Sequence, residues 1–211
     1  MGPPLVSASL ALNPRCHSYA NYVAPSLILS IISHYDRPIT IYADDLSPAL
    51  MLKCGAFKII SLTSGAEFKQ TVSTHCRFPP PTKVKVSYDE ASFYTLYPNV
   101  PVTFSAPFTR KRDNNDGKPL PASHPDYSNH RYSTSGALGV DGLEPGDTYA
   151  LTLAETPRVA WTFVRWWEYG TKEEVLRMDL DARKVKFDPG PHEPITVDTS
   201  GVKAVAFSCT E

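Results

Sequence analysis

The chain has 211 residues, 42% of them hydrophobic, with a formal net charge of −1 and a pI near 6.6, which is enough length and apolar content for one sizeable core in a single domain. The balanced charge creates no overall field toward nucleic acid or an acidic membrane, so neither is an expected partner. Its 20 prolines, about twice the usual share of roughly 5%, favour short strands and stiff loops and argue against long helices.

Met1-Gly2-Pro3-Pro4-Leu5 lacks the basic and continuously apolar stretches of a secretory signal. No run of roughly 20 apolar residues follows, so a soluble, cytoplasmic protein is expected. Val6, Ala8, Leu10 and Leu12 alternate with small or polar residues up to Asn13-Pro14, the pattern of an edge strand. Residues 27–32 are apolar on both faces and predict a strand in the middle of a sheet. His34-Tyr35-Asp36-Arg37-Pro38 turns the chain, and residues 39–42 are expected to return as a hairpin. Ser47 and Pro48 stand where a cap and a first helical residue belong, predicting a short helical turn over 46–54.

A second hairpin is predicted from residues 56–62 and 67–72 around Thr63-Ser64-Gly65-Ala66. After Pro79-Pro80-Pro81, the alternation of Val84, Val86 and Tyr88 reads as a half-exposed strand, and Tyr97-Pro98-Asn99 makes a corner between two further strands. Residues 110–136 form one long insertion without apolar periodicity, of the kind that is functional or disordered. Gly142-Leu143-Glu144-Pro145-Gly146-Asp147 is a turn signal, and Tyr149, Leu151 and Leu153 then share one face of a strand. A Tyr there, ring inward and hydroxyl returning to the backbone of the turn, is the tyrosine corner of immunoglobulin-type sandwiches.

Val159, Trp161 and Phe163 share one face of an aromatic core-candidate strand with Ala160, Thr162 and Val164 on the other, Thr171 with Glu174 makes a capping box, and short strands around 185–187, 195–197 and 202–207 close the chain. The expected fold is all-β: an immunoglobulin-like antiparallel β-sandwich with a long loop insertion, one or two short helices and a C-terminal extension over 168–211.

The segment Leu143-Glu144-Pro145-Gly146-Asp147-Thr148-Tyr149-Ala150-Leu151 resembles the corner entering the penultimate strand of fibronectin type III and related domains. The order of apolar segments across about residues 5–165, with the Leu96-Tyr97-Pro98-Asn99 corner, resembles the immunoglobulin-like segment of fungal deuterolysin-type proteins and of small fungal proteins built on it. No His-Glu-x-x-His is present, so no metalloprotease residue carries over. The resemblance implies a binding or supporting module.

Phosphate-loop, dinucleotide and nucleophile-elbow patterns are absent, and no organic cofactor or metal is expected. Within the insertion, His124, Asp126, His130 and Tyr132 are the candidates for acid-base chemistry, since imidazole titrates near neutrality and a carboxylate can orient it. Tyr127 and Arg131 beside them, with Arg165, Trp166 and Trp167, are the candidate ligand-binding residues. Adjacent strand residues face opposite ways, so Trp166 and Trp167 cannot share one core face, and the outward ring is free to stack on a partner. Arg110-Lys111-Arg112 is answered by Asp113 and Asp116 and reads as a solvated tip. Cys16, Cys54, Cys76 and Cys209 lack metal-type spacing and read as free thiols, with disulfides the alternative if the protein is secreted. Two functions remain open. One is a module binding a small molecule or a protein, with a homodimer through an uncovered sheet edge as a further option. The other is a cofactor-independent cyclase, isomerase or hydrolase of specialised metabolism.

Overall fold

The computed structural model of the chain describes residues 2–20, 24–70, 72, 83–109, 139–140, 142–154, 162–176, 184–187 and 189–211. Strands dominate them. One five-stranded sheet runs in the order β11 (Phe163–Val164), β14 (Ile195–Asp198), β1 (Val6–Asn13), β3 (Ser26–Ser33) and β9 (Val102–Pro107). The other runs β2 (Cys16–Ser18), β15 (Val205–Thr210), β10 (Thr148–Leu153), β5 (Phe57–Ser61) and β6 (Glu67–Phe68). Their inner faces meet in one cluster, with Val6, Leu12, Leu27 and Leu29 from the first sheet against Ile59, Tyr149, Leu151 and Phe207 from the second. β1, β3 and β9 on one sheet and β5, β10 and β15 on the other reproduce the division of an immunoglobulin-type sandwich. Two pairings, β1 with β14 and β2 with β15, are parallel, so the sandwich is not wholly antiparallel.

The expected tyrosine corner is present. Tyr149 is fully buried; its hydroxyl accepts the Glu144 N–H at 2.7 Å and donates to the Glu144 carbonyl at 3.3 Å. Asp147 ties the same corner to the β5–β6 turn, accepting from Ser61 Oγ at 2.8 Å and Thr63 Oγ1 at 2.5 Å. These hydrogen bonds, Thr63's first, hold its carboxyl below the usual range.

Several strand partners differ from expectation. β1 is interior, because β14 adds alongside it with Val6 opposite Val197 and Ser7 opposite Asp198. β3 and β4 (Ile39–Tyr42) do not form a hairpin; β4 lies between β8 (Phe93–Leu96) and β12 (Trp167–Tyr169) in a third sheet. Ile39, Thr40 and Ile41 are all buried, so β4 needs cover on both faces, which an edge hairpin would not supply. The strand at 84–88 is cut short: β7 (Lys83–Lys85) pairs with β13 (Lys184–Lys186), and Val86 opens a helical turn, α2 (Val86–Asp89). Val84 and Val86 both enter a second, smaller cluster with Phe93, Trp166, Leu176, Val185 and Phe187. In β11, Val164 is buried and Phe163 is 42% exposed, so of the two faces it is Val164's that turns inward, while Val159 and Trp161 lie outside the described residues. Pairing Val164 with Ile195 decides this, since a slip of one residue exchanges the two faces. The segment beyond Trp167, expected as an extension, supplies β14 and β15 to the interiors of the two large sheets.

The helices are short. α1 (Pro48–Lys53) begins with Pro48 at its first turn as predicted, although Ser47 makes no side-chain capping bond. In α3 (Lys172–Val175) the predicted capping box is complete: Glu174 N–H donates to Thr171 Oγ1 at 3.3 Å, and Thr171 N–H donates to Glu174 Oε2 at 2.8 Å. Thr171→Ala should cost about 1 kcal/mol by leaving the first helical N–H groups unsatisfied. Urea melts will check this, and Thr171→Ser should recover most of the loss.

Candidate functional site

Beyond β4 the chain turns sharply, with the Ala43 N–H donating to Ser92 O at 2.8 Å, and residues Asp44–Leu46 form a single 3-10 turn before α1. This turn, the start of β8 and the exposed side of β9 enclose a recess of about 280 Å³. Asp44, Ser47, Ser92, Tyr94, Thr103 and Ser105 line it with polar groups. Phe104 adds an apolar wall, its ring edge-on to Tyr94 with centroids 4.9 Å apart. Ser47 holds the capping position of α1 without a side-chain capping bond and lines the recess.

The electrostatics are acidic. Asp44 stands exposed at the mouth, and its carboxyl is held above the usual range, first by desolvation against the wall and then by the charges of Asp45 and Asp89. Behind it the Tyr42 hydroxyl is pushed up to about 12, chiefly by burial and then by Asp44, Asp89 and Asp45. Asp45 is answered by Arg165, whose guanidinium lies 2.6 Å from its carboxylate. Among the described residues Asp44 has no ion-pair partner, and no group of three His, Cys, Asp or Glu could hold a metal ion. Among the described residues, the recess gathers hydroxyls and one carboxylate around the aromatic rings of Tyr94 and Phe104.

Of the residues singled out from sequence, Arg165 comes beside this site through Asp45. The two tryptophans do face apart, yet both are buried. Trp167 enters the large cluster, donating from Nε1 to Glu193 O at 2.8 Å and stacking on His192 at 4.4 Å. Trp166 enters the smaller cluster, edge-on to Phe93 at 5.2 Å. The outward ring is therefore taken up by a second core, so neither ring is left on the surface to stack on a ligand as the sequence suggested. His124, Asp126, Tyr127, His130, Arg131 and Tyr132 lie outside the described residues. Sequence reasoning missed Asp44 and the hydroxyls opposite it; Asp44-Asp45 after a strand was the available signal, but Thr103 and Ser105 join it only through the folding of β9. No protein-family model matches the chain, and a search of curated proteins finds no match.

Proposed function

We propose that the protein is a ligand-binding module whose recess takes a protonated amine, either free or at the tip of a lysine side chain. The observation carrying this reading is Asp44, without a cation among the described residues, at the mouth of a hydroxyl-lined recess whose neighbouring carboxylate already has Arg165. An ammonium brings three donors and no acceptor, matching a carboxylate and hydroxyl oxygens, while an alkyl stem rests on Tyr94 and Phe104. A volume near 280 Å³ falls just below the range of drug-sized ligand sites, which starts at roughly 300 Å³, and fits a group the size of one side chain. The enzyme alternative rests on residues 124, 126, 130 and 132, which lie outside the described part of the chain.

Calorimetric titration with butylamine and with a lysine-bearing peptide should give binding that Asp44→Asn abolishes. Butylamine binding on its own points to a small ligand, and binding of the peptide alone points to a protein partner. Failure of both, or unchanged binding by Asp44→Asn, overturns the reading. Binding should weaken as the pH falls through the raised pKa of Asp44, because the carboxyl becomes neutral. The stability effect has the opposite sense: with the folded pKa above the unfolded one, ionisation of Asp44 destabilises the fold as pH rises. Asp44→Asn should therefore melt higher than the parent at neutral pH and converge with it in acid.

A further inference from the structure

Where β1 begins and β3 ends, three side chains from separate elements meet. Ser7 Oγ lies 2.7 Å from His34 Nε2, and His34 Nδ1 lies 3.3 Å from Asn99 Oδ1. Each is held by backbone. The register of β1 against β3 sets Val6 opposite Ser33, so His34 is the first residue past the strand, and its N–H donates to Leu5 O at 2.9 Å. Asn99 has φ +58°, the one positive value among the described non-glycine residues, and its N–H donates to Ser33 O at 2.8 Å. An Asn tolerates that backbone where most side chains would not.

In the neutral imidazole the two contacts favour one tautomer. Asn99 Oδ1 only accepts, so the nitrogen facing it, Nδ1, carries the hydrogen. Nε2 is then left with its lone pair toward the Ser7 hydroxyl. A hydroxyl donating to an imidazole that a third group orients is the arrangement of an activated nucleophile, recognised by geometry and not by sequence position. Three exposed apolar residues belong to the same segments: Leu5 (58% exposed), whose carbonyl accepts from the His34 N–H, and Tyr97 (47%) and Val100 (50%) in the turn that carries Asn99. They offer apolar surface to a short acyl chain. Asp198, opposite Ser7 across the parallel β1–β14 pair, adds a negative charge to the same end of the sheet, where an imidazolium would form.

We propose that Ser7 and His34 are nucleophile and general base, with Asn99 as the positioning residue, for transfer of an acyl group from a small carboxylic ester to water. Ser7 Oγ forms the bond to the carbonyl carbon as its proton passes to His34 Nε2. The alcohol oxygen leaves with the bonding pair and takes that proton. Water then attacks the acyl-serine, again giving a proton to Nε2, and Ser7 leaves reprotonated with the carboxylic acid released. No oxidant or further reactant enters. This site is independent of the recess beside Asp44.

The test is labelling of the full chain with a fluorophosphonate probe, with the adduct mapped by mass spectrometry, alongside turnover of p-nitrophenyl acetate. One adduct per chain on Ser7 is expected, with none on Ser7→Ala and labelling slowed by roughly a hundredfold or more in His34→Ala. Asn99→Gly accepts the positive φ while removing Oδ1, so it should keep the parent melting temperature and label about tenfold more slowly or worse, and Asn99→Asp should restore the rate. Absence of an adduct on Ser7, or labelling as fast in folded His34→Ala as in the parent, overturns the proposal and leaves the three groups as a surface hydrogen-bond chain.

Discussion

Trp167→Ala should lower stability by about 3–5 kcal/mol, the range for truncating a large buried aromatic ring, and for a chain of this size that is a fall in melting temperature on the order of 10 °C. Only 2% of Trp167 is exposed, and it packs into the cluster shared by the two large sheets and the third sheet. It stacks on His192, and its Nε1–H satisfies the Glu193 carbonyl, so truncation opens a cavity and frees the loop before β14 together. Trp167→Phe separates the two effects: it fills most of the space but removes the donor, and should cost roughly 1–2 kcal/mol. Thermal and urea melts of both variants decide the matter. A loss below about 1 kcal/mol for the alanine variant would mean that β12 and the His192 loop are not part of the cooperative core.

Tyr149→Phe is expected to cost about 1–2 kcal/mol with almost no change in packing, because the ring remains between Phe68 and Phe207 while Glu144 loses both hydroxyl bonds. Burial, ahead of the nearby charges, raises the pKa of this hydroxyl, so it stays protonated across the neutral range and the loss should not vary with pH there. A separate pH response comes from Asp147. Its lowered carboxyl favours the fold above the ordinary carboxylate pKa, and that contribution disappears as pH falls through the lowered value. Melting of Tyr149→Phe between pH 6 and 8 measures the first effect; a neutral or stabilising result would show that the corner hydroxyl bonds add nothing beyond burial of the ring.

Features whose cause lies within a few residues were legible in the chain. The Leu143-to-Leu153 corner, the alternation of β1, the interior strand β3, Pro48 at the head of α1 and the Thr171–Glu174 box all appear where turn chemistry, apolar patterning and capping place them. The candidate site was much less legible. Arg165 was identified, but its partner Asp45 lies 120 positions earlier, and the recess walls come from three separate segments. Ser7, His34 and Asn99 belong to a strand, a strand end and a corner, with nothing in their spacing to connect them.

The sequence by itself determined that the chain is built from short strands, where many of them begin and end, and that Tyr149 turns inward at an immunoglobulin-type corner. Tertiary structure decided which strands pair, that β1 is interior, that β4 leaves β3 for a third sheet, and that Trp166 has a second core to enter. The reason is physical: alternation and turn residues act through the local backbone, whereas a strand's edge groups bond equally well to any partner. The choice of partner rests on apolar burial summed over the whole molecule, and the groups gathered in the recess and around His34 follow from that choice.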